Sequence, residues 1–168
     1  MKTSFFSLVA IALYFSLVAE NGFALDAKKT GDLQLEIAVS PSPKYLHDWI
    51  STPSQHGIVI KRLYEAYPDK TVYVAFIATG YTPDSDGKVD LIAHWSLLGP
   101  DGKTVLSKQN YATYSYKNEK PGFVMLDPAL DIVLEDSDPA GTYTICGFLE
   151  DRIAKTRARR LYFFEFIK

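Results

Sequence analysis

The sequence predicts an all-β protein, an antiparallel β-sandwich of about seven to nine strands with one short helical insertion. The first observation is residues 71–106, where two apolar segments are joined by a Pro-Asp-Ser-Asp-Gly turn and followed by a Gly-Pro-Asp-Gly turn. The second is the regular spacing of turn signals along the rest of the chain, which is typical of sandwiches and barrels. The third is the abundance of tyrosine and phenylalanine, 11 and 10 residues, because aromatic side chains suit a pleated, half-buried surface.

The first 24 residues are predicted to be a secretory signal peptide. Lys2 provides a positive start, residues 5–18 are apolar, and Gly22-Phe23-Ala24 offers small residues at the cleavage site. The apolar run is short for a membrane span and is followed by the polar pair Glu20-Asn21, which favours cleavage over a transmembrane anchor. We therefore expect an exported protein, periplasmic or extracellular, in which residues 25–168 form a single domain with no later transmembrane segment.

Charge and cysteine content narrow the class further. The formal net charge is -2, so the chain has no overall positive field to favour nucleic acid as a partner. Cys146 is the only cysteine, so the domain has to fold without an internal disulfide. An exported domain without disulfides fits a bacterial periplasm better than a eukaryotic extracellular space.

The first half of the chain alternates strands with one helix. Residues 32–40 alternate apolar and polar side chains, which predicts a half-buried strand. Ser42-Pro43 is typical of a helix start, with serine as N-cap and a helix over 44–50. Residues 58–66 are predicted to be an edge strand because they carry several charges. Residues 72–81 are almost continuously apolar, as expected for a strand that is covered on both faces.

The second half consists of strands joined by short turns. The predicted strands cover residues 89–98 and 104–108, a tyrosine-rich surface strand within 109–120, and short pieces at 123–126 and 130–134. The chain then ends in a hairpin, with residues 142–149 running out, 150–156 crossing and 158–167 returning.

The segment Pro139-Ala140-Gly141-Thr142-Tyr143-Thr144-Ile145 resembles the penultimate strand of immunoglobulin-like sandwiches, and the Gly-Pro-Asp-Gly-Lys turn after Trp95 resembles connections in bacterial immunoglobulin-like modules. In those domains, the tyrosine hydroxyl bonds back across the corner that precedes the strand, and a core tryptophan lies on the third strand. The resemblance implies an immunoglobulin-like sandwich with Tyr143 in the corner and Trp95 in the core. Cys146 lies three residues after the tyrosine rather than two, which places it on the opposite face, and there is no second cysteine to pair with it.

No candidate for chemistry forms a complete constellation. Asp84, Asp86 and Asp90 suggest a calcium loop, but the first and last positions of that motif are not acidic, so an Asx-type turn is favoured. His47, Asp48 and His56 suggest a small metal site, but their spacing favours solvent-exposed side chains. Cys146 has no local histidine partner and the chain has no Gly-x-Ser-x-Gly motif. We therefore expect no enzymatic activity, no metal and no cofactor.

The charges are segregated along the chain. Residues 127–138 contain five acidic and no basic side chains, whereas the final hairpin carries Arg152, Arg157, Arg159 and Arg160. This pattern predicts either a docking surface for an anionic partner or an edge strand that its charge keeps unpaired. The partner would be a protein, an envelope polymer or lipid head groups.

Exposed aromatic residues offer a second interpretation. Tyr114 and Tyr116 are predicted to share a strand face, with Tyr111 on the other, and such rings stack on sugars in carbohydrate-binding modules. Tyrosine is also simply a good strand former. Trp49, in the 41–57 insertion, is a further candidate for binding. The main hypothesis is a non-catalytic protein-binding module, the alternative is a carbohydrate-binding module, and the third is a metal-dependent or hydrolytic enzyme that uses the insertion.

Overall fold

The computed structural model describes residues 32–53, 56–118 and 122–168; the predicted signal peptide lies outside them. In chain order the elements are β1 (Gln34–Ser40), α1 (Lys44–Ser51), β2 (Glu65–Ala66), β3 (Thr71–Thr79), β4 (Leu91–Leu98), β5 (Thr104–Tyr114), β6 (Val124–Met125), β7 (Leu130–Val133), β8 (Gly141–Asp151) and β9 (Thr156–Phe166). Within these described segments, no helix is both long and apolar enough to cross a bilayer.

The strands form two sheets. The five-stranded sheet has the order β2-β9-β8-β4-β5. In the four-stranded sheet, β1 lies on one side of β3, while β6 and β7 share its other side. All pairs are antiparallel except β2 with β9, a two-residue parallel pairing. The predicted all-β immunoglobulin-like sandwich with one short helix is therefore confirmed, and the parallel pair is its one departure from the antiparallel pattern among the described strands.

The main core lies between the sheets. It includes Phe76 of β3, Trp95 of β4 and Tyr143 of β8, each no more than 6% exposed. Gly147 of β8 faces β1 across this core, and a Cβ atom there would lie 2.9 Å from Leu35 Cδ2. Glycine at this position therefore allows the two sheets to approach closely.

Tyr143 forms the predicted corner. Its hydroxyl donates a hydrogen bond to the Pro139 carbonyl oxygen at 3.0 Å, and its ring stacks on Phe164. The other end of the β8–β9 hairpin is held by Asp151, whose buried carboxylate accepts bonds from the backbone N–H groups of Thr82, Ile153 and Ala154. A buried carboxylate needs several hydrogen-bond donors, and these three N–H groups supply them. The contacts of Tyr143 and Asp151 therefore hold the two ends of β8.

A second, smaller core covers the outer face of the four-stranded sheet. Tyr45 of α1 packs on Ala38, Ala75 and Ile77, with further half-buried apolar residues around them. This explains why β3 is apolar on both faces, as its sequence indicated. The helix begins at Lys44 as predicted, but its N-cap is Pro43 rather than Ser42.

Three predicted strand or turn boundaries differ from the structure. Of the predicted strand over 58–66, only Glu65–Ala66 joins a sheet. Ile58 and Ile60 instead pack against the second core and Leu63 enters the main core. The segment contacts β1 through the bond from Leu63 N–H to the Val39 carbonyl and through the Arg62–Glu36 ion pair. The predicted strands at 104–108 and within 109–120 form one strand, β5. The predicted crossing over 150–156 shortens to residues 152–155, because β8 and β9 extend toward each other.

A bulge in β5 changes the direction of Tyr111. Ala93 pairs with Ala112 but Trp95 pairs with Lys108, so three residues of β5 lie opposite His94, and Asn110 among them has a φ of 53°. Two residues are extra relative to regular pairing, so the alternation is the same on both sides of the bulge, and the left-handed backbone of Asn110 redirects Tyr111 only locally. Tyr111 therefore packs against the main core and Trp95, as Tyr114 packs against that core, instead of on the opposite face.

Candidate binding surface

The outer face of the five-stranded sheet is the main candidate surface, and we call the outward residues of β4, β8 and β9 the open face. They lie in rows across the three strands, of which the central one is Ser96, Cys146 and Leu161. The rows on either side of it are Leu98, Thr144 and Phe163, and His94, Phe148 and Arg159. The outermost rows contain Thr142 with Glu165, and Ile92, Glu150 and Arg157.

Three large apolar side chains are exposed on the open face. Phe148 is 39% exposed, Leu161 38% and Phe163 56%. Isolated apolar residues are common on protein surfaces, but these three occupy adjacent rows on neighbouring strands. They therefore form an apolar stripe along β8 and β9, and Cys146 lies buried within it.

Basic side chains border one end of this stripe. The Arg159 guanidinium lies 5.2 Å from the centroid of the Phe148 ring, a cation–π contact. Arg157 Nε lies 3.0 Å from Glu150 Oε1. Together with His94 and Gln109, these side chains line a shallow groove of about 440 Å³. The open face thus combines exposed apolar side chains with neighbouring charged ones.

The four arginines predicted as one binding surface are divided among three places. Arg157 and Arg159 lie on the open face. Arg160 turns to the edge of the sandwich, where its Nε lies 3.4 Å from Glu36 Oε2 in β1. Arg152 belongs to the turn between β8 and β9 and bonds through its backbone N–H to the Asp90 carbonyl. Neighbouring residues in a strand face opposite ways, so a cluster in sequence becomes two groups in space.

His94 is fixed in orientation by the bulge. Its Nδ1 accepts a hydrogen bond from the Asn110 backbone N–H at 2.9 Å. In the neutral imidazole the other nitrogen, Nε2, then carries the proton. Nε2 is buried and has no hydrogen-bond partner within the described part of the chain. His94 therefore has a structural role in joining β4 to the bulge of β5.

The tyrosines proposed to bind sugars do not form a flat platform. The rings of Tyr114 and Tyr116 are 5.3 Å apart but 77° from parallel. Tyr116 is 65% exposed, whereas Tyr114 is partly buried against the main core. Tyr81 lies beside them, and its hydroxyl accepts a 2.6 Å hydrogen bond from Asn118 Nδ2.

The insertion serves packing. Trp49 is half-buried against the second core. Asp48 is paired with Lys44, with 2.5 Å between its Oδ2 and the lysine Nζ. Across residues 32–53, 56–118 and 122–168, no three potential ligands among His, Cys, Asp and Glu are grouped as a metal ion requires.

The aspartate-rich turn at Asp84 has the geometry of an Asx-type turn. Asp84 Oδ1 accepts hydrogen bonds from the backbone N–H groups of Asp86 and Lys88, at 2.9 and 2.8 Å. Gly87 donates to the Asp84 carbonyl and has a φ of 78°. The Asx-type turn is therefore confirmed.

Sequence reasoning missed Phe148, Leu161 and Phe163, the exposed apolar residues of the open face. A signal was present in β9, whose sequence is TRARRLYFFEF. Tyr162, Phe164 and Phe166 alternate into the core, so Leu161 and Phe163 have to point outward. A strand with apolar residues on both faces must either be covered on both faces or expose apolar side chains on one of them.

No protein-family model and no curated protein matches the sequence. Among solved structures, the chain is similar to the alkylpurine DNA glycosylase AlkC of Pseudomonas fluorescens, bound to DNA containing an abasic site analog; identity is 9%, the TM-score is 0.47, and 81% of this chain and 30% of that one are covered. A CARDB domain from Pyrococcus furiosus in complex with di-metal ions has 10% identity, a TM-score of 0.42, and coverage of 89% and 95%.

A Niemann-Pick type C2 protein from the Japanese carpenter ant is also similar, with 9% identity, a TM-score of 0.42, and coverage of 86% of this chain and 100% of that one. The chain thus spans less than a third of the glycosylase but almost the whole of the other two proteins. These likenesses concern architecture and carry no functional argument.

Proposed function

We propose that this protein is an exported, non-catalytic module that binds a protein partner through the open face. The observation that carries the proposal is the apolar stripe of Phe148, Leu161 and Phe163 on the one outer sheet face that α1 does not cover. A monomer seldom exposes several large apolar side chains side by side, because their hydration is unfavourable. Export rests on the apolar segment at residues 5–18 and the small residues before position 25.

The chemistry of the face favours a protein over a sugar. Protein interfaces combine aromatic and aliphatic residues at their centre with arginine and polar groups at the rim. The stripe, Arg157 and Arg159 match that composition. Sugar-binding platforms require exposed ring faces, and the perpendicular Tyr114–Tyr116 pair does not present two such faces side by side.

The proposal is tested by photo-crosslinking in the cells that make the protein. A photoreactive phenylalanine analogue is placed at Phe163 and, as a matched control, at Val133, which is 51% exposed on the other outer face. We expect a discrete crosslinked protein product from position 163 and not from position 133. The same yield from both positions, or no product from position 163, would contradict binding through the open face.

A carbohydrate-binding module is the second candidate, and the exposed ring of Tyr116 is the observation in its favour. It predicts retention of the purified protein on an immobilised polysaccharide and loss of that retention in Tyr114→Ala and Tyr116→Ala. Retention that survives both changes would remove the support for this candidate.

A further inference from the structure

We infer that the partner of the open face is a second copy of this chain, in a two-fold symmetric dimer; this inference rests on the proposed function. The outward residues of β9 are Arg157, Arg159, Leu161, Phe163 and Glu165, in that order. The order is basic, basic, apolar, aromatic, acidic. This pattern is self-complementary when two copies of the strand run antiparallel.

The symmetry operation determines which residues meet. Two sheets face each other about a two-fold axis that lies between them, perpendicular to the strands, so that β9 faces β9 in the reverse direction. When the axis passes over Leu161, the two Leu161 side chains meet. Arg159 then faces Phe163 of the other copy, a cation–π pair, and Arg157 faces Glu165, an ion pair. The Leu161 contact lies on the axis and occurs once, whereas each of the other two pairs occurs twice.

The neighbouring strands fit the same axis. The register places Cys146 and Ser96 in the row of Leu161, so these small side chains lie on the axis and allow close approach. Phe148 then faces Thr144, and Glu150 faces Thr142 of the other copy. No pair of like charges meets in these rows. A heterologous partner would not require the rows on either side of Leu161 to complement each other.

The size of the surface predicts a weak dimer. At about 4.8 Å between strands and about 6.8 Å between same-face residues, three strands and five rows cover on the order of 500 Å² per copy. A standard interface buries roughly 800 Å² per partner. We therefore expect dissociation in the micromolar range.

The test measures association of the purified chain by sedimentation equilibrium between about 1 and 500 μM, a range set by the expected micromolar affinity. Arg157→Glu and Glu165→Arg each place two like-charge pairs in the dimer and are expected to weaken association at least tenfold. In an equal mixture of the two variants, every 157–165 pair across the mixed dimer has opposite charges. Mixing should therefore restore association to near the original level, and so should the double variant R157E/E165R.

Control variants separate this inference from loss of fold and from a simple charge effect. Arg157 and Glu165 are both exposed, and the substitutions remove only the surface ion pair of Arg157 with Glu150 and the hydrogen bond of Thr142 to Glu165, so the fold should remain intact. Arg152→Glu makes the same charge change in the turn beyond the open face and should leave association unchanged. Association that is unaffected by either single variant, or that the mixture does not restore, would overturn the two-fold arrangement.

The failure of this inference can be told apart from the failure of the proposed function. A wild-type chain that stays monomeric up to 500 μM overturns the dimer, because this concentration is far above a micromolar dissociation constant. If position 163 then crosslinks to a different protein, binding through the open face stands. If position 163 yields a product of two copies of this chain, both are supported.

Discussion

The two outer faces of the sandwich differ in what covers them. Outside the four-stranded sheet, Ala75 and Ile77 lie under α1 and are no more than 2% exposed. Outside the five-stranded sheet, Leu161 and Phe163 lie at equivalent outward positions and remain in contact with solvent. Ala75 and Ile77 therefore stabilise the fold, whereas Leu161 and Phe163 contact solvent, because the second core covers only the first pair.

The largest difference in the free energy of unfolding is expected when one outward apolar side chain is shortened to alanine on each face. Ile77→Ala removes buried methyl and methylene groups and leaves a cavity beneath α1, so we expect a loss of about 2–5 kcal/mol in the free energy of unfolding. Leu161→Ala should cost less than about 1 kcal/mol, because the open face is already hydrated. Urea unfolding, with comparison of midpoints at equal m-values, measures both. Equal losses would show that the open face is as well packed as the covered one.

Two buried tyrosines allow a finer comparison. Tyr162 donates a 2.5 Å hydrogen bond to the Leu63 carbonyl, and Tyr162→Phe should cost about 1–3 kcal/mol because that buried acceptor loses its donor. The hydroxyl of Tyr45, a residue of α1, is buried without a hydrogen-bond partner among the described residues. Tyr45→Phe should therefore leave stability unchanged or raise it by up to about 1 kcal/mol. Thermal unfolding of the two variants side by side distinguishes them, and a large loss in Tyr45→Phe would reveal a bond that the structure lacks.

Alkaline pH should lower the free energy of unfolding through the hydroxyl of Tyr162. Burial raises the pKa of Tyr162 from 10.0 to about 12. Arg62 opposes this increase, and Tyr64 and Glu36 add to it. The unfolded chain then loses the tyrosine proton at lower pH than the folded chain. The contribution of Tyr162 to the free energy of unfolding is therefore complete below pH 10 and is lost as pH rises toward 12. Urea midpoints measured from pH 9 to 12, a range about the ordinary tyrosine pKa, should fall less steeply in Tyr162→Phe than in the wild type. Identical slopes would count against this assignment.

The smallest effect is expected at the rim of the sandwich. Arg160 is half exposed and 3.4 Å from Glu36, so Arg160→Gln should change the free energy of unfolding by no more than about 1 kcal/mol. It should also leave association unchanged, because Arg160 lies off the open face. A marked loss of association in this variant would move the interface toward the β1–β9 edge.

The fold could be predicted well from local patterns. The alternation over residues 34–37 of β1, the Asx turn at Asp84 and the corner at Tyr143 depend on neighbours in sequence, and each was confirmed. From Ala38 onward β1 is buried on both faces, because the second core covers the outer one. The errors arose where a distant contact outweighed the local pattern. Residues 58–64 carry strand-like composition, yet Ile58 and Ile60 pack over the second core, Leu63 enters the main core, and the segment joins no sheet. The bulge at Asn110 likewise depends on its hydrogen bond to His94, which is 16 residues away.

The sequence by itself determined the all-β class, the helix of the insertion and the positions of the main turns, because these depend on periodicity and on turn chemistry within a few residues. The tertiary structure decided which apolar residues are covered. Trp49 was a candidate for binding but lies against the second core, whereas Phe148, Leu161 and Phe163 are exposed. Burial is a property of what packs against a residue from elsewhere in the chain, and α1 reaches only one of the two sheets.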